Sequence, residues 1–224
     1  MPIDYESYFK RYEALAKSAS QIFEKVSQMN PGCVTCALQC SDCCHALFDL
    51  TLVEALYINH RFHHNIADKR KNTLLELANK ADRQIYRIKK NAFRAQQAGQ
   101  MENQILEDLA AERVRCPLLN DQNQCELYDW RPITCRLYGV PTSIGGNSYT
   151  CGKSDFKLGQ SYPTVYLDKI QDQLFELSHD LVREIRSSYT KMGDLLVPLS
   201  MALLTDYNAE YLGIGQQKTD ELNS

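Results

Sequence analysis

Glycine and proline are scarce in this chain of 224 residues, at ten and seven, and several of them bunch between Cys116 and Cys151. That scarcity excludes a low-complexity or turn-dense chain and predicts helices interrupted by one loop-rich segment. A surplus of either charge is missing too: 25 lysines and arginines stand against 28 carboxylates, a net −3. This balance gives no electrostatic reason to expect nucleic acid or an anionic membrane as a partner. No apolar run approaches the 18 or so residues of a membrane span. The longest, Leu195 to Leu204, carries Pro198 and Ser200 and reads as a buried core helix. Met1 to Glu6 has neither a basic region nor an apolar one, so no secretory signal is expected and the cytoplasm is the expected compartment. Alternating strands are nearly absent, Val114 to Leu119 and Leu137 to Val140 being the short candidates, and there is no internal repeat.

What the chain has is nine cysteines in two groups. Cys33, Cys36, Cys40, Cys43 and Cys44 form the first; Cys116, Cys125, Cys135 and Cys151 form the second. The 71 residues between Cys44 and Cys116 contain none, and none follows Cys151. Cysteine used only as a small core hydrophobe would be scattered. Clustered thiols point to disulfides, metal sites or redox centres, and a reducing compartment favours metal or catalysis over disulfides. With 224 residues the chain can bury a core without covalent help, so metal would organise a region of it.

Helical periodicity frames both groups. Tyr5, Tyr8, Phe9, Tyr12, Leu15, Ala16, Ala19, Ile22, Phe23 and Val26 lie on one stripe of a helix that Asn30-Pro31-Gly32 ends. Thr51-Leu52-Val53-Glu54 has the pattern of a capping box opening a second helix, expected to reach about His60. Leu74, Ala78, Ala81, Ile85, Ile88 and Ala92 mark a third, with Arg83, Arg87, Lys90 and Arg94 on its far side. That basic side reads as a solvated face, because the net charge is negative and no aromatic stripe is read beside it. Gly99-Gln100 breaks this helix, and Ile105, Leu106 and Leu109 restart it. Leu167, Ile170, Leu174, Leu177, Leu181 and Ile185 mark another helix, and residues 215–224 read as a frayed tail. The expected fold is mainly α: a helical bundle with an irregular cysteine-rich metal-binding segment. Residues 1–32 pack a helix on the core, 33–153 hold the metal, and 154–214 complete the same domain.

Thiolates two and three residues apart on a loop can converge on zinc or an iron–sulfur cluster. In an extended segment the side chains of Cys43 and Cys44 would point to opposite sides, so the pair either serves two sites or divides between a ligand and a packing residue. Eight cysteines could make two four-thiolate sites or one site with spare thiols. Cys36-x3-Cys40-x2-Cys43 also has the spacing of radical S-adenosylmethionine enzymes, although those place it after the first strand of a β/α barrel. Around Cys135, Asp129 can cap a short turn that begins near Pro132. Arg131 and Arg136 bracket Cys135 and can offset thiolate charge. His45 is the histidine best placed as a ligand or relay. His60, His63 and His64 read as helix-end residues whose imidazolium suits the dipole, and His179 reads as structural. Asp42 and Asp49 could reach the site. No Ser-His-Asp order or carboxylate pair stands out, so no catalytic residue is assigned.

Cys36-Ala-Leu-Gln-Cys40-Ser-Asp-Cys43-Cys44, Cys116-Pro-Leu-Leu, the block from Cys125 to Arg136 (CELYDWRPITCR) and then Cys151 resemble the YkgJ-type cysteine-cluster family of zinc- or iron-chelating domains. The resemblance spans about residues 36–153. It implies metal binding at Cys36, Cys40, Cys43, Cys44, Cys116, Cys125, Cys135 and Cys151. The chain departs from the family pattern in having three residues between Cys36 and Cys40, which leaves Cys33 as a substitute ligand. Some similar proteins are flagellin lysine methylases that use S-adenosylmethionine, but no glycine-rich cofactor loop follows a strand here, and Gly145-Gly146-Asn147 reads as a turn. The expected function is therefore metal binding, with an iron–sulfur cluster or zinc on clustered thiolates. The alternatives are a cluster-dependent enzyme (electron transfer or lysine methylation) and a zinc-organised module that binds a protein partner. Substrate and oligomeric state are not read from the sequence.

Overall fold

The computed structural model describes residues 5–157 and 159–215, so most of the tail read as frayed lies outside the described residues. Seven α-helices occur among them: α1 (Glu6–Met29), α2 (Leu52–Asn65), α3 (Asp68–Gln97), α4 (Glu102–Ala111), α5 (Ile133–Leu137), α6 (Leu167–Glu184) and α7 (Leu199–Leu204). The strands are two or three residues long: β1 (Asp49–Thr51), β2 (Thr142–Ile144), β3 (Asn147–Tyr149), β4 (Val165–Tyr166) and β5 (Leu196–Pro198). The fold is mainly α, and these short strands build no β/α barrel around the first cysteine group.

At the centre lies α2. Every residue from Leu52 to Ile58 is buried, and α1, α6 and α7 pack around it. The predicted stripe of α1 turns Tyr8, Phe9, Tyr12, Ala16, Ala19 and Val26 into that core. Asn30 ends α1 by donating its side-chain amide to the Val26 carbonyl at 2.9 Å, and Gly32 takes a φ of 86°. Burying each large apolar side chain contributes roughly 1.5–3 kcal/mol, a stabilisation that does not depend on metal.

The entrance to α2 differs from the expected capping box. Thr51 makes no side-chain cap, and its hydroxyl is buried without a partner. The Val53 N–H instead donates to Ser178 Oγ on α6 at 3.2 Å. Glu54 is drawn away by Tyr12 and Ile133, two donors far along the chain. Nor does the helix stop at His60: it continues to Asn65, with the His60 and His64 rings stacked 3.9 Å apart. Burial lowers the pKa of His60 and His63, which favours neutral imidazole there over the expected imidazolium.

Two further expectations are corrected. The run Leu195 to Leu204 is a strand followed by a helix, because β5 pairs antiparallel with β1 through Leu50 opposite Val197. The two segments read as strands form single bridges instead: Leu119 faces Cys125, Tyr138 faces Val140, and Leu137 closes α5. Gly145 and Gly146, both at positive φ, make the turn between β2 and β3, as expected. His179 bonds Asp194 at 2.9 Å.

Candidate metal centre

Backbone hydrogen bonds lace the two cysteine groups together. The Cys116 N–H donates to the Cys44 carbonyl at 2.7 Å, and the Val114 N–H to that of His45 at 3.0 Å. The Asp155 N–H, just past Cys151, donates to the Cys33 carbonyl at 2.8 Å, and Thr35 Oγ1 donates to the Lys153 carbonyl at 2.6 Å. Loops 71 residues apart in sequence thus form the walls of one chamber.

Local turns aim the thiols. Gln39 adopts a φ of 72°, turning the chain between Cys36 and Cys40. Cys43 and Cys44 lie in a 3-10 helix, Asp42–His45, where the expectation was extended backbone. Neighbouring side chains there need not oppose each other, and the two thiols shift each other's pKa in opposite directions. Asn120 Oδ1 accepts the N–H groups of Gln122 and Gln124, closing the loop that brings Cys125 back beside Cys116. Cys135 projects from α5. Asp129 does not cap that helix; it sits in the 3-10 turn Tyr128–Trp130, and Glu54 Oε1 accepts the Ile133 N–H. Pro132, at the N-cap, has no N–H to satisfy.

A cavity of about 550 Å³ results. Cys36, Cys40, Cys43, Cys44, Cys116, Cys125, Cys135 and Cys151 all line it, together with apolar walls from Phe23, Phe48, Ile85 and Leu118. All nine cysteines are free thiols, and Cys33 is the one that does not line the cavity; it packs against the hydrophobic core. His45 does not line it either, its ring bonding the Ser41 carbonyl at 3.0 Å. Asp49 does not line it and is taken by Lys89 at 2.6 Å. Among the described residues, no three cysteine, histidine or carboxylate groups converge as they stand on a point that one ion could occupy.

The electrostatics separate an inner and an outer set. Burial pushes Cys116 up to about 12 and Cys125 up to about 11, and raises Cys135 well above the thiol range; the three feel one another and Cys43. Cys43 goes the other way, lowered by the adjacent Cys44 thiol and by Arg131. Cys44 is raised correspondingly. In the outer set, burial and the charges of Cys40 and Cys151 push Cys36 up to about 11.

Asp42 stands by the outer set, its side chain 12 % exposed. Burial pushes its carboxyl up, but hydrogen bonds from Tyr138 at 3.1 Å and Arg113 at 2.8 Å outweigh this and hold it below the usual range. Cys151 donates to the same carboxylate at 3.6 Å. Sequence reasoning named Asp42 but missed Arg113 and Tyr138; the position of Tyr138, three residues past a cysteine, was the available signal.

The bracketing arginines divide. Arg131 stacks 4.0 Å from the Tyr128 ring centroid and lowers the pKa of both Cys43 and Cys125. Arg136 is bound to the Arg131 and Asp129 carbonyls and to Ser20 Oγ of α1, so it ties the loop to the bundle.

Among the described residues no helix is long and apolar enough to cross a membrane. Searches of curated proteins and of solved structures give no match. A family model described as "Putative zinc- or iron-chelating domain" and built on a CxxCxxCC motif matches residues 33–152, more than half of the chain. That span opens at Cys33 and closes just past Cys151, enclosing every thiol of the cavity, and the chain belongs to this cysteine-cluster family of zinc- or iron-chelating domains.

Proposed function

We propose that the protein holds an iron–sulfur cluster in this cavity. The observation that carries the reading is that eight thiols, drawn from two remote segments, line one cavity. One zinc ion at a Zn–S distance of about 2.3 Å would gather four sulfurs within about 4 Å of each other and leave no void between them. The cavity of about 550 Å³ favours a group of several atoms. Cys43 or Cys44 with Cys116, Cys125 and Cys135 would hold it, leaving Cys36, Cys40 and Cys151 as an outer set.

A bound cluster supplies one-electron redox chemistry. The chain contributes the surroundings: Phe23, Phe48, Ile85 and Leu118 give apolar walls, and Arg131 offsets negative charge on Cys43 and Cys125. Residues 33–153 then form the metal-holding part of one domain that 1–32 and 154–214 complete, working in a reducing compartment such as the cytoplasm.

Anaerobic purification followed by iron, sulfide and zinc quantification tests the reading. Stoichiometric iron and sulfide with a visible absorption that bleaches on reduction is the expected result. Cys125→Ser and Cys135→Ser should lose it and Cys33→Ser should keep it. Stoichiometric zinc without iron overturns it.

A further inference from the structure

The second half of α3 carries Arg83, Arg87, Lys89, Lys90 and Arg94, and no carboxylate occurs between Asp82 and Glu102, although the chain as a whole is at −3. Lys89 pairs with Asp49. The other four are exposed, and none has a salt-bridge partner among the described residues. Arg83 with Arg87, and Lys90 with Arg94, stand four apart, the spacing at which like charges destabilise a helix.

Contrary to the sequence reading, aromatics do interleave these cations. Tyr86 is 62 % and Phe93 60 % exposed. Seven residues apart, they share one side of the helix, about 10 Å from each other along its axis. Lys90 Nζ lies over the Tyr86 ring, 5.7 Å from its centroid. Ile88, Ala92 and Ala95 line the cleft with α4, so the rings point away from α4. Neither the core nor the metal centre uses this face.

We propose that the face of α3 around Tyr86 and Phe93 binds single-stranded nucleic acid. Arg83, Arg87, Lys90 and Arg94 would neutralise phosphates while the two rings stack on bases. Their separation matches about three base steps of 3.4 Å. An acidic helix would satisfy the cations and leave the rings idle. A lipid surface calls for a broader apolar stripe than two rings separated by a lysine. This inference is independent of which metal fills the cavity.

The test uses the full chain, as purified with its metal, and labelled oligo(U) and oligo(dT) of about 12 nucleotides. Fluorescence anisotropy between about 25 and 200 mM salt should give a log–log slope near −3, since four contacts each contribute about −0.7. The triple variant Arg87→Glu, Lys90→Glu, Arg94→Glu should weaken binding at least tenfold. Tyr86→Ala with Phe93→Ala should weaken it at least fivefold while leaving the slope unchanged. Circular dichroism confirms that each variant keeps its helices. Tighter binding to oligo(U) assigns RNA, and equal binding assigns either strand type through backbone and bases. No binding at the lowest salt overturns the proposal, as does indifference to the aromatic double variant. So does tighter binding to polyglutamate or to phosphatidylserine vesicles, which would assign the face to an acidic protein or a lipid surface.

Discussion

Glu54 Oε1 accepts the Ile133 N–H at 2.9 Å, joining the most buried helix of the bundle to the first residue of the turn that carries Cys135. The same oxygen accepts the Tyr12 hydroxyl at 2.7 Å. Leaving these two donors unpaired costs about 1–3 kcal/mol each. Glu54→Leu should therefore lower the melting temperature strongly and loosen Cys135, whereas Glu54→Gln keeps a carbonyl acceptor and should cost far less. The pH dependence separates them further. Burial raises the folded pKa of Glu54 above its usual 4.5, outweighing the hydrogen bonds that lower it. Stability from this group is then complete below 4.5 and declines as pH rises through the folded value. A pH series of melting curves should show that decline in the parent and not in Glu54→Gln.

Thiol reactivity gives a second prediction. In the metal-free protein the Cys43 thiol is lowered from the usual 9.0, whereas Cys36 is pushed up to about 11. The thiolate is the nucleophile. Iodoacetamide at neutral pH should label Cys43 ahead of Cys36, even though Cys36 is exposed and Cys43 only partly so. Arg131→Ala should slow the labelling of Cys43 by about two- to threefold, for a shift of roughly half a unit. Arg136→Ala should leave that rate unchanged and lower the melting temperature. Peptide mass spectrometry over time reads the first two effects, and labelling of Cys36 before Cys43 would refute the assignment.

Alkaline pH should destabilise the metal-free form. Cys116 and Cys125 are raised from the usual 9.0 to about 12 and 11. Their contribution is complete below 9 and is lost as pH rises toward the folded values. Between pH 9 and 10, below the usual range of tyrosine, the melting temperature of metal-free protein should fall. Bound metal needs these thiols deprotonated, so the loaded protein should not show this fall and should release metal on acidification. Equal alkaline sensitivity of the two forms would contradict the burial of these thiols.

Gly139 is tested by comparison with another glycine. It has a φ of 112°, and a Cβ there would lie 2.5 Å from Cys36 Sγ. Gly99 also has positive φ, at 85°, but faces open space. Both alanine variants carry backbone strain of about 1–3 kcal/mol, whereas only Gly139→Ala displaces a thiol of the cavity. Similar losses of melting temperature with a selective loss of metal from Gly139→Ala are expected; metal content read against Gly99→Ala decides the matter.

Periodicity made α1, α3 and α6 legible, because one face of each meets the core along its buried stretch. It was silent where the partner lies far away in sequence. Thr51-Leu52-Val53-Glu54 satisfies every local rule of a capping box, yet Ser178 takes the cap and Ile133 takes the carboxylate. Leu195 to Leu204 is apolar throughout most of its length and carries no period that would reveal its pairing with Leu50. At the centre, the cysteine spacing and family block named eight residues that do line one cavity, while the adjacency of Cys43 and Cys44 gave no sign of the 3-10 turn that holds them. Arg131 and Arg136 look equivalent beside Cys135; only the folded loop turns one toward sulfur and the other toward α1.

The backbone bond from Cys116 to Cys44 closes a loop of 71 residues that includes α2, α3 and α4. No nascent fragment ending before that point owns the chamber, however many of its first five cysteines have emerged. Capture of the inorganic group is therefore expected to be a late event, following helix docking and requiring delivery through the mouth of an already folded apoprotein. A ribosome-bound chain stalled before Cys116 should then compete poorly for iron or zinc, and occupancy in a cell would track the supply to finished molecules rather than the rate of synthesis.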